Sequence, residues 1–154
     1  MELDKIDLNI LKIMQENGRI TNLQLSQMIG LSPAPTLERV RKLENSGYIK
    51  SYHALVDEEK LGLGIKTFIQ VSLDFHQNDT ISIFQKEIQQ IKEVTECHHV
   101  TGQYDFILKV YVKDIKAYEQ LIMNKISKIS VVKTFQTLMI LSTSKKEPII
   151  PIEY

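Results

Sequence analysis

The chain has 154 residues, of which 19 are Lys or Arg and 19 are Asp or Glu. Its formal net charge is therefore zero, which excludes indiscriminate binding to polyanions through an overall field. A hydrophobic fraction of 43% with 25% charged residues describes a water-soluble globular protein, long enough for one ordinary domain or two small ones.

Asp4 is placed to cap a first helix in which Ile6, Ile10 and Ile13 recur at helical spacing, with Gly18 as its stop. Thr21 begins a second helix, and Gln24 three residues on completes a capping box. Leu25, Met28 and Ile29 are read as its inner face. Gly30 supplies the permissive backbone of a sharp turn. Ser32 then caps a third helix, with Pro33 and Pro35 in its first turn, where a missing N–H costs little, and Gly47 ends it. Leu37, Val40 and Leu43 are read as the buried side of this helix, with Thr36, Arg39 and Lys42 pointing outward. Two such helices joined through a glycine turn describe a helix-turn-helix, whose second helix enters the major groove of DNA. Charge is segregated in the same direction. Arg19, Arg39, Arg41, Lys42 and Lys50 outnumber Glu38 and Glu44, while acids cluster before at Glu2, Asp4, Asp7 and Glu16 and after at Asp57, Glu58 and Glu59. So modest a patch predicts a dimer or larger assembly.

Residues 48–56 are rich in β-formers and read as a wing or linking strand, with Lys50 and His53 within reach of phosphates. The acidic run at 57–59 and the glycines at 62 and 64 mark a boundary, dividing the chain into domains 1–62 and 63–154. Beyond it, 66–74 reads as a strand with Ile69, Val71 and Leu73 on one face. A helix through Ile81, Phe84, Ile88 and Ile91 follows, then strands over 94–101 and 104–112 meeting at Gly102-Gln103. Ile115, Tyr118, Ile122 and Ile126 define a second helix, and 131–143 a last strand. The order βαββαβ is the ferredoxin-like arrangement. Both helices cover one sheet face, leaving an apolar-containing face for a subunit contact. The end of the chain, with Pro148 and Pro151, reads as an arm packed on a neighbour.

The order and spacing of several short motifs carry a resemblance. These are Leu3-Asp4 with Asp7 and Ile10-Leu11, Leu31-Ser32-Pro33, and the run Leu37-Glu38-Arg39-Val40-Arg41-Lys42-Leu43-Glu44. Gly47-Tyr48-Ile49, Glu96-Cys97-His98, and Thr101-Gly102 with Tyr104-Asp105 complete the set. Over nearly its whole length the chain resembles the Lrp/AsnC (feast/famine) family of transcription regulators. The resemblance implies an α+β protein in which a winged helix-turn-helix precedes a ferredoxin-like domain of the AsnC type. Double-stranded DNA, a small-molecule amino acid and further copies of the chain are the implied partners, with dimers assembling into higher oligomers, commonly octamers. DNA contact is expected from Thr21, Asn22, Ser32, Pro33, Ala34, Pro35 and Thr36. Arg39 is the leading candidate for a guanine or phosphate, with Arg41, Lys42 and Lys50 as backbone clamps. A two-fold dimer would set its recognition helices ~34 Å apart.

The turn at 101–105 is the candidate effector site. Glycine allows close approach, Asp105 can receive an α-ammonium, and local amides can hold a carboxylate; a plain β-turn uses the same residue types for conformation alone. With the family resemblance the effector set becomes His99, Val100, Thr101, Gly102, Gln103, Tyr104 and Asp105, joined by Thr137, Leu138 and Met139 of the last strand. Gln103 occupies a position that is often acidic in the family.

Cys97 is the single cysteine, so an internal disulfide is excluded and a reducing compartment is indicated. No apolar run approaches the ~20 residues that span a bilayer, and the start lacks the layout of a secretion signal; a cytoplasmic protein is expected. On a strand, Cys97 and His99 point to one face and His98 to the other, so they do not close around one metal ion. Neither a phosphate loop nor a nucleophile elbow occurs, so no catalytic residue and no cofactor are expected. Two readings of the helical front remain open from the residues: it binds DNA, or it mediates protein contacts for a ligand-sensing module.

Overall fold

Three helices followed by a four-stranded sheet with two further helices make up the protein, seen in a computed structural model that describes residues 2–74 and 79–153. The chain forms two compact units, Met1–Leu55 with Lys145–Tyr154, and Val56–Ser144. The sequence-based boundary at 62/63 thus lies within the second unit, and the C-terminal tail belongs with the first. The tail is held by its own chain: the Gln15 side-chain amide donates to the Ile150 carbonyl and accepts from the Ile150 N–H, at 3.2 and 2.9 Å.

In the first unit, α1 (Lys5–Glu16), α2 (Asn22–Ile29) and α3 (Pro33–Asn45) enclose Ile10, Leu25 and Leu43. The helix starts follow the sequence closely. Asp4 and Asp7 form a capping box on α1, and Thr21 and Gln24 another on α2. Gly30 takes φ 71°, ψ 31° at the end of α2, a left-handed conformation that costs any residue with a Cβ. Ser32 stands at the N-cap position of α3, yet its side chain makes no capping hydrogen bond. Its carbonyl instead receives the Thr36 hydroxyl at 2.9 Å.

Two inner faces differ from expectation. Met28 is 62% exposed, and on α3 Leu37 is 39% exposed while Thr36 is fully buried. Helix α3 is therefore rotated so that Thr36, Val40 and Leu43 face the core. Thr36 tolerates burial because the bond to Ser32 satisfies its hydroxyl. Residues 48–56, read as a wing or linking strand, form no strand; their β-forming side chains have no ladder partner within the described residues. Tyr52 folds back so that its hydroxyl donates to Glu44 at 2.8 Å. Burial, with the Glu44 carboxylate alongside, pushes its pKa up to about 12.

The second unit contains β1 (Ile65–Leu73), α4 (Thr80–Ile88), β2 (Val94–His99), β3 (Phe106–Val112), α5 (Ile115–Asn124) and β4 (Val132–Met139), with a short 3-10 turn at Ile126–Lys128. The strands run β2-β3-β1-β4, all antiparallel, which is the ferredoxin-like order anticipated from βαββαβ. Strict alternation in β1 and β3 places Ile69, Val71, Leu73, Phe106, Leu108, Val110 and Val112 against the helices. The other face presents Phe68, Gln70, Ile107, Lys109, Tyr111 and Leu138. Lys109 pairs there with Glu96 and holds its carboxyl below the usual range.

Candidate functional site

Helix α3 displays its polar side chains in two groups. The first contains Arg39, whose Nη1 donates to Asp4 Oδ2 at 2.8 Å and to Asp7 Oδ1 at 2.6 Å. Its side chain is 30% exposed and that of Asp7 only 4%. Arg39, expected to reach DNA, is thus placed in ion pairs within its own unit. A guanidinium shared between two carboxylates of α1 has its charge neutralised inside the unit. The Asp7 amide, and then the Arg39 guanidinium, hold the Asp4 carboxyl below its ordinary value of 3.8, and the Asp4 and Asp7 carboxylates raise the pKa of Arg39. Because the folded-state value of Asp4 is depressed, its contribution is present above the ordinary carboxylate range and fades as pH falls through the lowered value.

The second group lies opposite the buried Thr36–Val40–Leu43 side. Ala34, Glu38, Arg41 and Asn45 follow one another at helical intervals of four, three and four residues, and all are exposed. Arg41 makes no ion pair among the described residues, so the contacts with Glu38, Glu44 or Asn45 that a helix surface offers are not formed. Lys42 borders a shallow pocket of about 320 Å³ that Glu2, Asp4, Asp7, Pro35, Glu38 and Arg39 also line. The donor and acceptor types in the outward row match base edges: guanidinium to guanine, amide to adenine, carboxylate to the cytosine amino group, methyl to the thymine methyl. Glu38 and Asn45 were missed by sequence reading. The phase set by Val40 and Leu43 alone, without Leu37, would have found them.

Other residues of the DNA set are placed less uniformly. Pro33, Ala34 and Pro35 are exposed in the first turn of α3, next to Ser32, and Lys50 is exposed beyond its end. Thr21 is engaged in its capping box. Asn22 donates to the Pro33 carbonyl at 2.8 Å, and its Oδ1 is buried with no partner; it ties α2 to the start of α3. Thr36, fully buried, does not face outward as expected.

The effector set divides as well. At one end of the sheet, the backbone of Asp105 bonds with Val100 and Val71, each at 2.9 Å. One oxygen of its carboxylate accepts the Leu73 N–H at 2.8 Å. The other oxygen has no hydrogen-bond partner among the described residues, and neither do the main-chain amides of residues 101–104. Gly102 has φ 124°, a region that disfavours any side chain. The Tyr104 hydroxyl donates to Gln136 at 2.6 Å, and the His99 ring stacks on Phe106 with centroids 4.6 Å apart. Thr137 lies on the helix-covered face, bonded to the Tyr118 hydroxyl, while Leu138 points to the opposite face beside Phe68. Met139 pairs with Thr67, two residue pairs beyond the Ile69–Thr137 level and further from the turn. Within one copy, then, the turn meets the last strand through Tyr104 and Gln136, and no hydrogen bond joins it to Thr137, Leu138 or Met139 among the described residues. Cys97 is half-buried, which pushes its thiol up. Among the described residues no group of three or more His, Cys, Asp or Glu side chains is placed to hold a metal, and no helix is long and apolar enough to cross a membrane.

Comparison with known proteins agrees with both halves. Residues 3–50 match the winged helix-turn-helix DNA-binding family, and residues 66–150 match the Lrp/AsnC ligand binding domain. The leucine-responsive regulatory proteins of Klebsiella pneumoniae and Escherichia coli K12 are each 37% identical over 145 residues, which is 94% of this chain and 88% of theirs. A transcriptional regulator of Neisseria meningitidis, solved as its L-Met complex, superposes with a TM-score of 0.93 at 33% identity, covering 97% of each chain. AsnC of E. coli superposes at 0.89 with 28% identity, covering 98% of this chain and 100% of that one.

Proposed function

The chain belongs to the Lrp/AsnC family of DNA-binding transcription regulators, which are not enzymes, and from that premise we propose that the outward row of α3 reads DNA while the turn at 99–105 holds a free α-amino acid. Ala34, Glu38 and Arg41 would face the base edges, with Pro33 and Pro35 keeping the first turn close to the groove and Lys42 and Lys50 at the phosphates. The sheet face bearing Phe68, Ile107, Tyr111 and Leu138 joins two copies, and dimers assemble further through the turns. In such an assembly a neighbouring copy supplies the rest of the effector pocket. The reading of the helical front as a protein-contact module gives way to DNA binding, since its 3–50 segment matches a DNA-binding family.

One observation carries the effector reading: an oxygen of Asp105 and the main-chain amides of the adjoining residues 101–104 have no hydrogen-bond partner among the described residues. That combination is complementary to a zwitterion, with the carboxylate oxygen for the ammonium and the amides for the α-carboxylate. Titrating each of the twenty amino acids against the melting temperature of the full chain tests it. A ligand at about a hundred times its Kd adds about 2.7 kcal/mol, which moves the transition of a domain this size by on the order of 10 °C. At least one amino acid is expected to give such a shift, and Asp105→Ala to abolish it while DNA binding survives. No shift with any of the twenty would end the sensor reading.

A further inference from the structure

The Asp4–Asp7–Arg39 cluster does more than cap a helix. All four carboxylate oxygens are used. Asp4 Oδ1 accepts the Asp7 amide at 2.8 Å and Asp7 Oδ2 the Asp4 amide at 3.3 Å, which closes the start of α1. The remaining oxygen on each, Asp4 Oδ2 and Asp7 Oδ1, accepts from the same nitrogen of Arg39. The first turn of α1 and the middle of α3 are thus joined through one atom, Nη1, across sequence separations of 35 and 32 residues. The apolar core shared by these helices is small, with Ile10, Leu25 and Leu43 fully buried among partly buried neighbours, so directional bonds add to what sets their angle. Apolar packing is non-directional, whereas hydrogen-bonded ion pairs are directional. Arg39 sits one position from Glu38 and two from Arg41, so its tether acts on the stretch of α3 whose outward side bears the reading row.

Building on the proposed reading of DNA by that row, we infer that Asp4, Asp7 and Arg39 are positioning residues: they set the rotation of α3 in the groove without touching DNA. This separates two properties that a contacting arginine would lose together. A phosphate or base contact contributes to the salt dependence of binding, about one unit of slope per cation. A positioning residue contributes to discrimination alone.

The test uses the full chain and two probes, a duplex selected from a random pool by the wild-type protein and a scrambled duplex of the same composition. Affinities are measured over a series of salt concentrations. Arg39→Met is expected to reduce the selected-to-scrambled ratio about tenfold, the size of one lost bidentate base contact, with the salt slope unchanged. Arg39→Lys should recover much of the ratio, because both bonds come from a single nitrogen that an ammonium can replace. Asp4→Asn keeps a good helix cap but weakens the tether, and should lower the ratio at wild-type slope; it decides the matter alone if Arg39→Met does not fold. A slope reduced by about one in Arg39→Met would make Arg39 a DNA contact and overturn the inference, as would an unchanged ratio in Asp4→Asn with Arg39→Met either unchanged or unfolded. A wild-type protein that fails to distinguish the two duplexes would instead overturn the reading of DNA by α3 itself.

Discussion

Arg41→Ala is expected to weaken binding to a selected duplex by roughly 10- to 100-fold, the 1–3 kcal/mol carried by a good arginine contact. Arg41 stands in the middle of the exposed row, forms no ion pair among the described residues, and lies opposite the buried side of α3. Nothing within the described residues competes for its charge, so a DNA contact displaces no internal partner. The variant should also lose about one unit of salt slope, which distinguishes it from Arg39→Met. Its melting temperature should remain close to wild type, since exposed substitutions away from caps and ion pairs usually stay within about 0.5 kcal/mol. Filter retention or fluorescence anisotropy across 50–200 mM salt, alongside thermal unfolding, checks each part. Wild-type affinity and slope in Arg41→Ala would exclude this side of α3 as the reading surface.

Leu43→Ala should have the larger effect on stability. Leu43 is fully buried and shares a small core with Ile10, Leu25 and partly buried neighbours such as Val40 and Ile49. Truncating a buried leucine costs about 2–5 kcal/mol, depending on how far the site collapses. At ~0.05–0.15 kcal/mol per residue, a unit of this length holds only a few kcal/mol in total. The helical unit is therefore expected to unfold at or near ambient temperature. The sheet unit, whose core extends from Ile69 and Phe84 to Leu121 and Val131, should still melt cooperatively. Calorimetry of the full chain should show loss of the helical transition with the other retained, and DNA binding should vanish while the amino-acid-dependent shift persists. Simultaneous loss of both transitions would show that the two cores are not separately stabilised.

The sequence made the architecture legible where signals are local. Capping residues at Asp4 and Thr21, the glycine at 30 and the alternation in β1 and β3 each depend on neighbours within a few positions, and each is found in place. What depends on distant partners was harder to read. Arg39 looks like a free cation on a basic helix, and nothing within ten residues reveals that Asp4 and Asp7 neutralise it. Thr36 and Leu37 exchange their expected places because polarity favours burying the leucine, whereas the bond to Ser32 makes the threonine an acceptable core residue. The segment after α3 has strand-forming side chains, yet propensity without a partner strand leaves it irregular. The turn at 101–105 was visible as glycine and aspartate, but the Leu73 amide that occupies half of the Asp105 carboxylate comes from a strand 32 residues away.

Cleavage of DNA from defined positions on α3 tests the reading row most directly. Cys97 is the single cysteine, so a Cys97→Ser background allows one new cysteine at a time, each carrying an iron chelate that cuts nearby DNA. Chelates at Ala34→Cys and Glu38→Cys should cut the selected duplex at a few adjacent base pairs within one major-groove face, and a chelate at Glu16→Cys on α1 should not. Cutting from Glu16 with none from Ala34 or Glu38 would contradict the assignment of α3 as the element that enters the groove.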